Sequence, residues 1–445
     1  MSWTTEQVLA LAPDASSAKS GQALAVPRKW VTLGADQNCA WGTIQGSGAA
    51  PYQTGIDFSG PAFKCTCPSR KFPCKHSLGL LLMVAQQAGA MAETQPPVWV
   101  TQWIATRADK EERKAAKAAE PEKPPDPETL ARATQAAEKR VASREARVTS
   151  GLDELGIWLD DLVRSGFAVL PGKPSSFWAA PAARLVDAQA PGLARRVRML
   201  DGITTTGERW PEKLLQEASL LHLAREGWTK LASLPEGTQA DLRTAIGFTI
   251  SQEEVLAQPG VRDCWTVVGQ RVEEQERLRT QRTWLFGANT RRAAMCLSFS
   301  AGPNQPFDLS LVPGTQAEAE LVFFPSSWPL RALVKERYGS PESIIPTLPH
   351  ETIAGAGAFA AEAITANPWV ERVPLAFPSV TPMRRANGWV IRDAAGHSMP
   401  LNIAQTKAWM LYSLSGGRPV SLAGEWDGSI LTPLSVWAEG RFLCI

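Results

Sequence analysis

The strongest constraint on this chain is a short run, Lys64-Cys65-Thr66-Cys67-Pro68-Ser69-Arg70-Lys71-Phe72-Pro73-Cys74-Lys75-His76. Three cysteines and one histidine form two pairs, each with a single residue between its members. Four such donors satisfy a closed tetrahedral zinc site, and thiolate with imidazole suits Zn²⁺. On an extended chain Cys65 and Cys67 point to one face, and Pro68 helps turn the chain. Six residues then allow a return, so that Cys74 and His76 close the site at the start of a helix. A Cys65–Cys67 disulfide would be strained in so small a ring. The protein fills all four positions, which leaves none for substrate or an activated water. The expectation is one structural Zn²⁺ held by Cys65, Cys67, Cys74 and His76.

The chain has 445 residues, 44% of them hydrophobic, enough for roughly three domains with cores of their own. Its seven cysteines are an odd number, and Cys39, Cys264, Cys296 and Cys444 stand alone among apolar neighbours. They read as buried thiols and not as a disulfide framework. The N-terminus lacks the basic and apolar regions of a signal peptide, and the longest apolar run, Leu78 to Ala85, is too short to span a bilayer. A cytoplasmic protein without membrane contact is expected. Most of the 17 Trp should anchor cores.

Along the chain, residues 4 to 11 read as a helix capped by Thr4 or Thr5. Strands are expected at Trp30–Leu33, Cys39–Ile44 and Tyr52–Phe58, with a turn at Gly46-Ser47-Gly48. An apolar helix follows the metal knuckle to about Gln87. A second helix begins near Val98 and runs through Lys110–Lys114, and the segment Pro121–Pro127 breaks it. Leu152, Leu155, Leu159 and Leu162, then Leu214, Leu215, Ala218, Leu221 and His222, have helical spacing. From Cys264 onward strands are expected at Trp265–Val268, Thr283–Phe286, Met295–Phe299 and Leu321–Phe324. Helices are expected at Arg331–Glu336 and Ala354–Ala366, and short strands at Trp389–Ile391 and Val420–Leu422. The fold class is therefore α+β: a small zinc-stapled strand–knuckle–helix module, a helical region, and a mixed antiparallel α+β C-terminal region. The expected divisions are 1–105, with the finger at about 50–90, a charged helical linker at 106–150, a helical region at 151–260, and 261–445.

The net charge of +2 excludes a uniformly basic nucleic-acid coat, so any such surface must be local. Between Phe58 and Ala92 there is no acid, while Lys64, Arg70, Lys71 and Lys75 supply +4. Zn²⁺ with three thiolates removes one charge, which leaves the module near +3. With Phe72 on the spacer, two readings stand. Either these cations contact phosphate while Phe72 stacks on bases, or they offset the electron-rich metal site and solubilise the loop.

The Cys-x-Cys…Cys-x-His pattern followed by an apolar helix resembles the SWIM zinc finger, with Cys65, Cys67, Cys74 and His76 at its ligand positions. SWIM fingers accompany bacterial helicase-like ATPases, transposase-related plant transcription factors and ubiquitin-ligase kinases. The resemblance implies binding to DNA or to protein. The remaining layout is similar to stand-alone bacterial SWIM proteins. That likeness implies, as the alternative, a protein–protein scaffold or adaptor working with a MoxR-type AAA ATPase and a von Willebrand A partner.

No phosphate loop, nucleophile elbow or His-Glu-x-x-His motif occurs, so no enzyme and no small-molecule substrate are expected. His222 reads as a core histidine, His350 stands at a helix start, His397 lies in a turn, and Asp427 reads as a turn residue.

Overall fold

The structure is a computed structural model. It describes residues 4–46, 50–58, 62–86, 91, 94–119, 127–205, 207, 209–275, 278–300, 307, 310–343 and 347–445. Most of the turn expected at Gly46-Ser47-Gly48 and the expected break at 121–126 lie outside these residues.

The N-terminal module opens with helix α1 (Thr5–Ala10) and helix α2 (Ala15–Leu24). Thr4 and Gln7 form a reciprocal capping box on α1, and the Asp14 carboxylate caps α2 through the Ser17 N–H. An antiparallel sheet follows in chain order: β1 (Thr32–Ala35), β2 (Cys39–Ile44), β3 (Tyr52–Asp57) and β4 (Ala62–Cys65). β1 starts two residues later than expected. Trp30 is instead buried, and its indole N–H donates to the Leu24 carbonyl at 2.9 Å. Helix α3 (Lys75–Ala85) packs Leu78, Leu81 and Leu82 into a core with Ile56, Phe58 and Val8. Helix α4 (Val98–Ala119) brings Val100 onto Cys39 and Trp41.

Helix α5 spans Pro127–Ser165 without interruption, so the expected division at 150/151 falls inside one helix. Val148 is fully buried with Leu152, Leu155, Leu159 and Leu162, and the stripe begins before the expected helical region does. Helices α6 (Ser175–Asp187), α7 (Pro191–Ile203), α8 (Trp210–Thr229) and α9 (Glu236–Ile246) close a bundle around Trp178, Leu193, Leu221 and Leu242. Helix α10 (Gln252–Leu256) leads out of it.

The C-terminal region holds two antiparallel sheets. One contains β5 (Val261–Gln275), β6 (Leu278–Gly287), β7 (Ala293–Ser300), β8 (Thr315–Phe323) and β9 (Ala332–Ser343), in the order β7-β6-β5-β8-β9. Helix α11 (Ile353–Ala366) follows. The second contains β10 (Val373–Arg385), β11 (Gly388–Arg392), β12 (Ser398–Pro400), β13 (Val420–Trp426), β14 (Leu431–Ala438) and β15 (Arg441–Cys444). Its order is β12-β11-β10-β13-β14-β15, and helix α12 (Gln405–Ser415) is inserted before β13. Alternation assigns the faces. Phe377, Leu422 and Val436 meet α11 and α12, while Ala376, Ala423 and Trp437 meet Val268, Trp284 and Phe286 of the first sheet.

Arg331–Glu336, expected as a helix, belongs largely to β9. Ala332, Leu333 and Val334 pair with Phe323, Val322 and Leu321. Ala, Leu, Lys and Glu favour helix locally, but burial against β8 overrides that weak preference. The chain is thus mixed α+β, with antiparallel sheets and with α11 and α12 set among the C-terminal strands. No described helix is long and apolar enough to cross a membrane.

The parts touch through specific contacts. Val312, from the segment before β8, is fully buried in the N-terminal core, and Gln7 donates to the Gly314 carbonyl at 3.3 Å. Trp369, just before β10, inserts into the bundle core, and its indole N–H donates to Leu220 at 3.2 Å.

Candidate metal centre

Each ligand is placed by a different local device. Cys65 ends β4, opposite Thr54 of β3. Beyond it the chain stays tied to the sheet, because Thr66 and Gln53 exchange hydrogen bonds at 2.9 and 3.0 Å. Cys67 sits in the loop. Cys74 is the N-cap of α3 in extended conformation, and its sulfur accepts the Ser77 N–H at 3.5 Å. His76 lies in the first helical turn, buried, with Nδ1 facing the sulfurs of Cys65 and Cys74 at 3.8 and 3.9 Å.

All four ligand atoms lie within 4.8 Å of one another. A tetrahedral centre with bonds of about 2.0–2.3 Å needs ligand separations of about 3.5–4 Å, so the donor set fits zinc. Electrostatics agree. Contact with Cys65 pulls the Cys74 thiol far below its ordinary range, with His76 and Ser77 assisting. The same contact and burial push Cys65 up, and burial raises Cys67. Three sulfurs this close share one negative charge poorly; a dication is what lets all three ionise. The α3 N-terminus further favours anionic sulfur.

A family model for the SWIM zinc finger matches residues 64–85, the interval that holds all four ligands. This chain carries a SWIM zinc finger. Cys65, Cys67, Cys74 and His76 hold one structural zinc. A second family model, for a SWIM-associated four-helix bundle domain, matches residues 143–246, from the middle of α5 through α9. No curated protein and no solved structure matches the chain.

Two further residues belong to this SWIM centre. The Thr54 hydroxyl stands 3.3 Å from the Cys65 sulfur, and the Ser77 hydroxyl stands 3.4 Å from that of Cys74. Such outer hydrogen bonds orient thiolates and temper their charge. Ser77, three residues past the N-cap, has a signal in the sequence; Thr54, on another strand, has none.

The four expected contact residues differ in surroundings. Arg70 and Lys75 are exposed. Lys71 is exposed but its ammonium lies 2.8 Å from the Asp14 carboxylate. Lys64 is half-buried, its ammonium 5.8 Å from the centroid of the Trp99 ring on α4. Phe72 is exposed on one side and meets Phe63 edge-on at 6.0 Å.

Other expectations change. His222 faces solvent between the buried Leu221 and the helix flank, because one residue's step turns a side chain by about 100°. His350 is buried, with Nδ1 3.0 Å from the Ala376 N–H. Of the lone cysteines only Cys39 is buried; Cys264 and Cys296 are half-buried and Cys444 is exposed. Asp427 is the turn residue expected: it accepts the Ser429 and Ile430 N–H groups at the β13–β14 turn.

Proposed function

We propose that this zinc-binding protein is a non-catalytic interaction protein whose SWIM finger contacts nucleic acid through Arg70, Lys71 and Lys75, with Phe72 available for stacking. The observation that carries this reading is the loop itself. It is held on a metal-stapled base, it is exposed from Pro68 to Phe72, it carries no acid of its own, and of its two cations Arg70 is exposed while Lys71 pairs with Asp14. Lys64 contributes less, since it already lies against Trp99. A reducing, cytoplasmic compartment suits three free zinc thiolates.

The test is fluorescence anisotropy with labelled single-stranded and duplex DNA, using the full zinc-loaded chain across salt concentrations. Three phosphate contacts give a slope of log affinity against log salt of about −2 to −3. Arg70→Ala with Lys75→Ala should remove about two contacts' worth of slope while zinc stays bound. A filled zinc site with no salt-sensitive affinity for either strand form rejects nucleic-acid binding.

A second reading, a protein scaffold working with a MoxR-type AAA ATPase and a von Willebrand A partner, draws on α12. There Trp409, Met410 and Tyr412 are all exposed, and clustered exposed aromatics favour protein contacts. Loss of a co-purified partner on Trp409→Ser, without any salt-sensitive DNA affinity, is the result that would favour it.

A further inference from the structure

A cleft of about 470 Å³ opens where the bundle meets the β5–β9 sheet and the segment that joins α11 to β10. That volume lies within the range of small-molecule sites, and domain junctions are where such sites form. Its lining is mixed: apolar Phe248, Met295, Leu297 and Trp328 beside a set of charged side chains.

The charges are not equivalent. Every lining carboxylate already has partners. Asp241 accepts from Ser326 Oγ, from the Ser327 N–H and from Asn367 Nδ2. Glu371 pairs with Arg195 and Arg196, and Glu273 pairs with Arg271 and Arg282. Two further guanidiniums are likewise spoken for. Arg282 also meets the buried Glu425 at 3.4 Å, and Arg372 meets Asp427 at 3.1 Å. Arg331 differs. No carboxylate among the described residues pairs with it. Its guanidinium lies 4.1 Å from the centroid of Phe324, another lining residue. Burial lowers its pKa, which is the mark of a cation stripped of water without an anion in return.

The cleft therefore presents one uncompensated positive charge beside an aromatic and aliphatic wall, with no carboxylate free to accept a cation. We propose that the cleft binds a small amphipathic monoanion, a carboxylate or sulfonate on a flat apolar body, with Arg331 as its charge partner and Trp328, Phe248 and Leu297 against the body. A guanidinium meets a planar oxyanion through two parallel hydrogen bonds, and such charge-assisted pairs are the strong ones. A dianion is disfavoured, because the other lining guanidiniums, Arg195, Arg282 and Arg372, are already paired. The site lies outside the N-terminal module, and its occupancy does not depend on what the finger binds.

The test uses 8-anilinonaphthalene-1-sulfonate, a fluorescent aromatic monoanion, with the neutral N-phenyl-1-naphthylamine as its uncharged counterpart. The zinc-loaded full chain should bind one sulfonate probe per chain, saturably. Arg331→Met should weaken that binding at least tenfold and leave the neutral probe's affinity within about twofold. Arg331→Lys, which keeps the charge, should recover most of the loss. Leu297→Trp, which fills the cleft without touching the charge, should abolish site binding of both probes. Unchanged sulfonate affinity in Arg331→Met overturns the proposal. Should that variant fail to fold, unchanged affinity in Leu297→Trp overturns it alone, since the probe would then sit elsewhere, for example on the exposed Trp409–Tyr412 face.

Discussion

The ammonium of Lys71, on the knuckle loop, lies 2.8 Å from the carboxylate of Asp14, the residue that caps α2. This pair joins the metal loop to the opening helices, and it holds the Asp14 pKa down to about 2. It also occupies a cation that phosphate would otherwise meet. Asp14→Asn keeps the cap, because Asn caps as well as Asp, and it frees Lys71. The expected outcome is tighter DNA binding, because Lys71 no longer gives up Asp14 to reach phosphate, read by anisotropy across salt concentrations. Unchanged affinity would remove Lys71 from the interface.

Zinc should be present at one per chain by metal analysis. Cys74→Ser removes a ligand while leaving a good N-cap on α3, so zinc should be lost and the N-terminal core should melt, because structural metal binding is coupled to folding. Thr54→Val keeps all four ligands and deletes only the hydroxyl beside Cys65. It should retain zinc but yield it to a competing chelator with affinity lower by about tenfold.

Glu425 is fully buried and meets Arg271, Arg282 and the Trp284 indole. Glu425→Gln leaves Arg271 and Arg282 with Glu273 as their remaining carboxylate. Removing one partner of a buried ion pair costs about 3–5 kcal/mol, so the urea midpoint should fall markedly. A change below about 1 kcal/mol would mean that water already compensates these charges.

His350 has its pKa lowered to about 4 by burial, from an ordinary value near 6.5. Because the folded value lies below the unfolded one, its contribution is fully present above about pH 6.5 and is lost as pH falls toward 4. A shift of that size is worth about 3 kcal/mol as an upper figure. His350→Asn cannot titrate, so the stability gap between wild type and variant should narrow over that window. Parallel pH curves for the two proteins would exclude His350 as the cause.

Much of this was legible without coordinates. The two one-residue spacings identified the metal ligands, since only chain-local geometry is needed to bring Cys65 near Cys67 and Cys74 near His76. Long periodic stripes, such as Leu152 to Leu162, marked helices for the same reason. Arg331–Glu336 misled because its helix formers pair with β8, and His222 misled because a single helical step separates a buried face from solvent.

The sequence by itself determined the chemistry of the zinc site, the mixed α+β class and the concentration of positive charge around the finger. Each of these depends on residue type and on separations of a few positions. Only the tertiary structure decided which cations remain outward, because the partners of Lys71 and Lys64 come from α2 and α4, distant in the chain. It alone assembled the cleft around Arg331, whose walls come from the bundle, the β5–β9 sheet and the segment between α11 and β10. Long-range contacts of this kind arise from burial summed over many residues, and no short pattern records which surfaces will meet.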